Sequence, residues 1–199
     1  MPQVFEYDPP ERFVAGTVGE PGQRTFYLQA RGGGRLTTVA LEKQQVAALA
    51  ERIDEVLDEV LRRTGGAGAP ALAPADLDDR APLDQPIEED FRVGTLALAW
   101  DGEAGVLVVE AHQMVLGEDD DDTDPDEDSG PGAGGAAAVQ PGEDAGDVLR
   151  VRLSPAVARA FAQRAVALVG AGRPPCPFCG LPLDPSGHVC PRQNGYRRR

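Results

Sequence analysis

Cysteine is absent from the first 175 residues of this 199-residue chain, and its three cysteines stand at positions 176, 179 and 190. A clustered, odd set of cysteines excludes the disulfide framework of a small secreted protein and favours a reducing compartment. The first residues lack the basic and apolar regions of a signal peptide. No run approaches the 18 apolar residues of a membrane helix. We therefore predict a cytoplasmic protein that makes no membrane contact.

Aromatic residues are scarce, at 5%, although hydrophobic residues make up 41% of the chain. The core must therefore be built mainly from aliphatic side chains. Glycine and proline contribute 24 and 18 residues, so a good part of the chain is expected to form loops. The length suits one domain of ordinary size or two small ones.

Basic residues are missing from residues 117–147, where twelve acidic residues lie. The formal net charge of the whole chain is −14, so the remainder carries only −2. The acidic stretch lacks the spaced aspartates, the glycine and the terminal glutamate of an EF-hand calcium loop. Its composition instead predicts a disordered, solvated loop between two strands.

Residues 1–64 change from strand periodicity to helix periodicity. Stretches rich in β-formers predict strands at 12–18, 24–31 and 35–41. The glycines at 32–34 predict a hairpin turn, since glycine readily adopts positive φ. Apolar residues then recur every three or four positions, which predicts a helix from about Lys43 to Arg63. The order of this first unit is therefore β-β-β-α.

Residues 91–172 repeat this order after a linker at 65–90 that is rich in Gly, Ala, Pro and Asp. Strand patterns lie at 91–100, 106–116 and 147–153. A serine followed by proline at 154–155 is typical of a helix start, and the helix should end near Gly170 or Gly172. The two halves thus share one element order.

We predict an α+β fold of two β-β-β-α units with mainly antiparallel sheet, followed by a C-terminal zinc knuckle or ribbon. One three-stranded sheet with one helix leaves apolar surface exposed, whereas two such units can share a core. The sequence does not fix whether the halves form one sheet or two. The predicted domains are the first unit, the linker, the second unit with its acidic loop, and a zinc-binding segment with a basic tail, at 1–64, 65–90, 91–172 and 173–199.

The C-terminal segment holds the most specific motif, a C-x2-C-x8-H-x-C pattern of Cys176, Cys179, His188 and Cys190. Zinc prefers four tetrahedral nitrogen and sulfur ligands, and this set leaves no position open. We therefore predict a structural Zn²⁺ site. A redox pair is the first alternative, although such a pair usually opens a helix and this one is flanked by prolines and glycine. Unrelated free cysteines are the second.

The chain ends in an aromatic residue and three cations, Tyr196, Arg197, Arg198 and Arg199. Arginines can contact phosphates and an aromatic side chain can stack on a base, so this tail is a candidate nucleic-acid contact. The alternative is a frayed, solvated terminus. The acidic stretch earlier in the chain disfavours nucleic-acid binding unless it is held away or mimics the nucleic acid.

No catalytic residues and no cofactor fingerprint emerge from the sequence. His112 lies in a strong strand pattern, and we interpret it as a core or edge histidine. Glu110 would share its strand face, and the pair could do acid–base work if that face lined a cleft. The RGGGR stretch at 31–35 lacks the lysine and the helix of a phosphate-binding loop, so we interpret it as a turn.

Three stretches carry a family resemblance: FEYDPPERFVAGTVGEPGQRTFYLQA, LEKQQVAALAERIDEVL and CPFCGLPLDPSGHVCPRQNGYRR. Together they resemble an uncharacterised family of Actinobacteria, domain of unknown function 3090, over the whole chain apart from its loops. The resemblance implies no established activity and assigns no functional residues. Members are encoded near a histidine-phosphatase-like and a kinase-like protein, which implies a shared pathway of unknown chemistry.

These observations favour a cytoplasmic accessory protein whose structural zinc site docks an unknown protein partner. One alternative is RNA or DNA binding through the zinc knuckle and the arginine-rich tail. Another is a small-molecule or phosphoester enzyme that acts with the phosphatase-like neighbour. The oligomeric state is not predicted.

Overall fold

The computed structural model describes residues 2–20, 22–66, 68–115, 146–172, 176–179, 190 and 192. Within them the chain forms an α+β fold with seven strands and two α-helices. The strands are β1 Val4–Tyr7, β2 Arg12–Val18, β3 Thr25–Gly32, β4 Arg35–Leu41, β5 Phe91–Asp101, β6 Val106–Gln113 and β7 Val148–Leu153. The helices are α1 Lys43–Arg63 and α2 Pro155–Gly170, with a short 3-10 turn at Ala75–Leu77.

All seven strands belong to one sheet with the order β1-β7-β6-β5-β4-β3-β2. The β1–β7 and β4–β5 pairs are parallel, and the other four pairs are antiparallel. The α+β class is confirmed, and the two halves share a single mixed sheet. Strand β1 was not predicted, because its four residues are too few to show a period. The duplicated units, the domain boundaries and the zinc knuckle stay predictions.

The sheet is strongly curled. Its two edge strands, β1 and β2, are joined by only four residues, so Tyr7 and Arg12 lie at most about 18 Å apart along an extended chain. Seven strands in a flat sheet would separate the same edges by about 29 Å. Curling brings Tyr7 close to the β3–β4 turn, where a Cβ added at Gly32 would lie 3.1 Å from the tyrosine ring.

Both helices pack on one face of the sheet, here called the inner face. The predicted bounds of α1 are confirmed, and Ser154 caps α2 by accepting the Val157 amide at 3.4 Å. A glycine bulge at Gly94 shifts the alternation of β5 by one residue. The shared core is mainly aliphatic, as predicted, and its larger fully buried members include Leu28, Val39, Val46, Ile53, Leu57, Leu107, Val109, Leu149, Val151 and Leu153.

A buried arginine joins the two helices. Arg159 of α2 is 8% exposed, and it donates to Asp54 and Asp58 of α1 at 2.7 Å each. Burial lowers the Arg159 pKa, but the hydrogen bonds to both carboxylates outweigh this effect and leave the pKa raised. The two helices are therefore held together by charge as well as by apolar packing.

The segment predicted as a linker packs along the other, outer face of β2, β3 and β4. Leu83 is buried over Gly16, where an added Cβ would lie 2.5 Å from the leucine Cγ. The Gln29 side chain donates to the Asp84 carbonyl at 3.1 Å and accepts the Asp84 amide at 2.7 Å. We call residues 68–90 the strap.

Two arginines, one from β2 and one from α2, hold the strap at Asp79. Arg12 pairs with Asp79 at 2.6 Å and with Asp84 at 3.1 Å. Arg164 of α2 donates to the Asp79 and Ala81 carbonyls. Burial lowers the pKa of Arg164, because it disfavours the charged guanidinium. The hydrogen bond from Arg12 lowers the pKa of Asp79, because it favours the charged carboxylate. The strap is thus an ordered part of the described structure.

The acidic stretch at 117–147 falls almost wholly outside the described residues, so its predicted disorder stays a prediction. The strands on either side of it were predicted at 106–116 and 147–153, and they are confirmed as β6 and β7 with slightly shorter bounds. Among the described residues no helix is long and apolar enough to span a membrane.

Candidate metal centre

The three cysteines converge at one point although ten residues lie between the second and the third. Residues 177–179 form a turn that begins directly after Cys176 and ends at Cys179. This turn lets the two cysteine side chains face one centre. Cys190 joins them from the following part of the segment, so that the three Sγ atoms all lie within 4.8 Å of one another. The structure therefore assembles three of the four predicted ligands.

The sulfur spacing fits a tetrahedral metal site. The Sγ atoms of Cys176 and Cys190 are 3.8 Å apart. Two sulfurs bound to one tetrahedral Zn²⁺ at about 2.3 Å each are separated by about 3.8 Å. A disulfide would instead require about 2.05 Å. The Cys176–Cys190 pair thus has the sulfur spacing of a tetrahedral thiolate site, and Cys179 lies within 4.8 Å of both.

Burial also fits a closed site. Cys176 and Cys190 are buried, at 4% and 3% exposure, and Cys179 is partly exposed. Buried thiolates are costly in an apolar interior unless a cation or donors offset their charge. A divalent metal would supply that charge, so these residues could hold a metal ion of the thiolate-preferring class.

Five predicted site residues lie outside the described residues. They are the fourth proposed zinc ligand, His188, and the four candidates for nucleic-acid contact, Tyr196, Arg197, Arg198 and Arg199. Their roles stay predictions.

An exposed aromatic residue sits between the first two cysteines and was not singled out by the sequence analysis. Phe178 is 57% exposed, although a phenylalanine is usually buried. Its position between the two cysteines of the C-x2-C motif was the available signal in the sequence.

The cysteine segment follows α2, whose end lies beside the start of α1. A Cβ added at Gly172 would lie 3.9 Å from the Lys43 Nζ. Gly172, the last described residue before Cys176, thus lies near the side chain of Lys43 in the first turn of α1.

The Glu110–His112 pair lies on the outer face of β6. His112 Nε2 is 3.3 Å from Glu110 Oε2, and Arg150 Nε is 2.6 Å from Glu110 Oε1. The predicted sharing of one face is confirmed. The interpretation of His112 as a core or edge histidine is wrong, because β6 is an interior strand and the side chain is 41% exposed. Arg150 forms an ion pair with Glu110, which is the carboxylate that acid–base catalysis by this pair would need.

A comparison with protein families finds one described as "Protein of unknown function (DUF3090)", whose model matches residues 5–190. This match bears out the resemblance drawn from the sequence, and it includes all three cysteines. No curated protein and no solved structure matches the chain.

Proposed function

Because the chain belongs to the DUF3090 family of proteins of unknown function, we propose a role from the cysteine geometry. Cys176, Cys179, His188 and Cys190 bind one structural Zn²⁺, and the segment at 173–199 docks a protein partner in the cytoplasm. The protein acts as an accessory or interaction protein and not as an enzyme.

The sulfur geometry is the observation that carries the zinc proposal. The Cys176 and Cys190 Sγ atoms are 3.8 Å apart, which is about the edge length of a tetrahedral thiolate site, and all three Sγ atoms lie within 4.8 Å of one another. The motif supplies His188 as the fourth ligand, and a complete protein ligand set is the mark of a structural zinc site. A segment of about 24 residues has little core of its own, so the metal would supply much of its folding free energy.

Phe178 supports the docking role. An aromatic side chain held outward on a metal-stabilised turn has little conformational entropy to lose on binding, and such residues are typical anchors of protein interfaces. The Phe178 ring can enter a pocket on the partner while the zinc fixes its backbone.

Metal content tests the first part. The full chain purified without chelator should carry about one equivalent of zinc by mass spectrometry of the element. Cobalt substitution should give the absorption bands of a tetrahedral site with three thiolates. Cys190→Ser and His188→Ala should each weaken metal binding at least tenfold. A chain that stays metal-free with added Zn²⁺, or in which His188→Ala has no effect, would reject this ligand set.

Partner capture tests the second part. The full chain and its Phe178→Ala and Cys176→Ser variants are compared as baits in native cytoplasm, with and without nuclease. The expected result is a protein captured by the wild-type chain after nuclease and lost with both variants. Capture abolished by nuclease would instead support nucleic-acid binding through Tyr196, Arg197, Arg198 and Arg199. Identical capture by all three baits would exclude docking through the cysteine segment.

A further inference from the structure

The three cysteines of the chain differ in their access to solvent. Cys176 and Cys190 are buried, at 4% and 3% exposure, whereas Cys179 is partly exposed. A small oxidant that arrives from solvent therefore reaches the Cys179 sulfur before it reaches either of the other two. The reactivity of a cysteine toward oxidants follows its thiolate character and its exposure. Cys179 is thus the first candidate for oxidation in this cluster.

The cluster also contains the partners that an oxidised Cys179 would need. All three Sγ atoms lie within 4.8 Å of one another, and those of Cys176 and Cys190 are 3.8 Å apart. Because the S–S bond of a disulfide is about 2.05 Å long, any pair in the cluster has to close by less than about 3 Å to form one. Both buried cysteines are therefore near enough to bond to Cys179.

No other cysteine of the chain competes for this reaction. Cysteine occurs at three positions only, all of them in this cluster. A disulfide within one chain therefore has to form inside the cluster and uses two of its three cysteines. The odd number of cysteines thus predicts a fixed composition of one disulfide and one thiol in each oxidised chain.

Loss of two thiolates would leave too few ligands for the metal ion. The proposed site consists of the three cysteines and His188, and a structural zinc site takes four protein ligands. After one disulfide has formed, one thiolate and one imidazole remain. The thiolate is the form of cysteine that binds a metal, and the sulfurs of a disulfide carry no such charge. Formation of the disulfide should therefore release the metal.

We propose that Cys179 is a redox modification site. Hydrogen peroxide oxidises it, a disulfide forms between Cys179 and one of the buried cysteines, Cys176 or Cys190, and the metal ion is released. Reduction of the disulfide by a dithiol restores the ligand set, so the modification is reversible. This inference rests on the metal site of the proposed function and concerns the regulation of that site.

The oxidation balances in two steps. The Cys179 thiolate attacks one oxygen of the peroxide, so that an S–O bond forms, the O–O bond breaks and hydroxide leaves. The thiolate of the neighbouring cysteine then attacks the sulfenic acid, so that the S–S bond forms, the S–O bond breaks and a second hydroxide leaves. The two sulfurs together lose two electrons, and one peroxide molecule gains them. The charge of the zinc ion does not change.

The modification acts on the cysteine segment and not on the body. Phe178, the exposed aromatic residue, lies between Cys176 and Cys179. A bound metal would join four residues of this segment, whereas a disulfide joins two, so the oxidised segment is held at fewer points. The shared core of the sheet and the two helices contains no cysteine. Oxidation should therefore loosen the segment that carries Phe178 and leave the core intact.

Titration of the zinc-loaded full chain with hydrogen peroxide tests the coupling. About one equivalent of peroxide should release about one equivalent of zinc, measured with a chromogenic chelator. The number of titratable thiols should fall from three to one over the same range. A dithiol and added Zn²⁺ should restore both values. Zinc that stays bound while the disulfide forms, or thiols lost without a disulfide, would overturn the proposal.

Mapping of the oxidised chain locates the bond. Cleavage before Asp184 separates Cys190 from the other two cysteines, and fragmentation then identifies the bonded pair. The bond should join Cys179 to Cys176 or to Cys190. A dione reagent that traps sulfenic acids should label Cys179 first. A first label on Cys176 or Cys190, or disulfides formed only between two chains, would overturn the assignment of Cys179.

Alkylation tests the difference in exposure without any substitution. Maleimide at low concentration should modify Cys179 of the zinc-loaded chain at least tenfold faster than Cys176 or Cys190. Cys179→Ser, kept loaded by excess Zn²⁺, should release zinc to peroxide at least tenfold more slowly than wild type. If this variant does not hold zinc, the alkylation rates and the mapped bond of the wild-type chain decide. Equal alkylation rates at all three cysteines would contradict the proposal.

The zinc content measured before peroxide is added separates the two proposals. A chain that carries no zinc rejects the metal site and this inference together. A chain that carries zinc and keeps it through several equivalents of peroxide rejects only this inference. Zinc release that follows formation of the Cys179 disulfide supports both.

Discussion

The hydroxyl of Tyr7 lies 2.7 Å from the Thr37 hydroxyl in a buried hydrogen bond that joins β1 to β4. Arg35 lies 5.0 Å from the centre of the Tyr7 ring and donates to the Glu6 carbonyl at 3.3 Å. β1 is thus paired with β7 on one side and fastened by Arg35 and Thr37 on the other. Its short edge is therefore protected.

Tyr7→Phe should lower the free energy of unfolding by about 1–2 kcal/mol, because it leaves the buried Thr37 hydroxyl without this partner. Tyr7→Phe combined with Thr37→Val should cost less than the sum of the single changes, as expected for contacting residues. Urea denaturation measures the three values. Additive effects would show that the two hydroxyls do not interact in solution.

Gly16→Ala should destabilise the chain by about 1–3 kcal/mol, because the new methyl group would overlap the Leu83 side chain of the strap. Leu83→Ala in the same chain should relieve this overlap, so that Gly16→Ala then costs much less. Gly33→Ala is not a suitable control, since its φ of +58° disfavours alanine for another reason. If the cost of Gly16→Ala is the same with either residue at position 83, the strap is not seated on β2.

Arg159→Ala should cost about 3 kcal/mol, because Arg159 is buried and links two carboxylates on α1. Arg52→Ala removes a 68% exposed arginine from the same helix pair and should change stability by less than about 0.5 kcal/mol. Thermal and urea unfolding of the two variants provide the comparison. Similar values for both would show that the α1–α2 contact depends on apolar packing alone.

The Asp79 carboxylate should make stability depend on pH. The hydrogen bond from Arg12 lowers the folded-state pKa of Asp79, so its contribution is present above the unfolded pKa of about 3.9 and is lost as pH falls through the folded pKa. Asp79→Asn should therefore cost about 2 kcal/mol at neutral pH, a value that allows for partial exposure. The difference should shrink below about pH 4 and vanish below the folded pKa.

Asp76→Asn is the matched control, since Asp76 lies in the strap outside the Arg12 and Arg164 contacts. The free energies of unfolding of wild type, Asp79→Asn and Asp76→Asn are measured between pH 3 and pH 7. A stability difference between Asp79→Asn and wild type that is constant over this range would contradict the proposed charge interaction.

Chelation of bound metal should affect the C-terminal segment and leave the body folded. The shared core contains no cysteine, and its apolar residues come from the sheet and the two helices. Circular dichroism should therefore show an unfolding midpoint of the body within about 3 °C with and without chelator. Amide exchange at Cys176 and Cys190 should accelerate. Cooperative loss of the whole fold would show that the metal also stabilises the body.

Local pattern accounts for the parts of the fold that the sequence predicted well. The bounds of α1 follow from an apolar face that repeats over about six turns, and α2 begins at a serine cap followed by proline. The convergence of Cys176 and Cys179 follows from their two-residue spacing. Each of these signals lies within a short stretch and needs no distant partner.

The missed features all depend on distant partners. Arg12 and Arg164 appear in the sequence as ordinary surface cations, and only the folded strap brings Asp79 to them. The short pairing of β4 with β5 was equally invisible, because the pattern predicts a strand but not how many of its residues pair with a neighbour. His112 was placed wrongly for the same reason, since strand order decides whether a strand is interior.

The sequence by itself determined the two helices, six of the seven strands, the aliphatic core and the grouping of the cysteines, because these arise from periodicity and spacing among near neighbours. Only the tertiary structure decided the single curled sheet, the pairing of Val4 with Val148 across 144 residues and the seating of the strap. Such pairings are selected by the free energy of the whole core after chain-closure entropy has been overcome, and no local pattern records that balance.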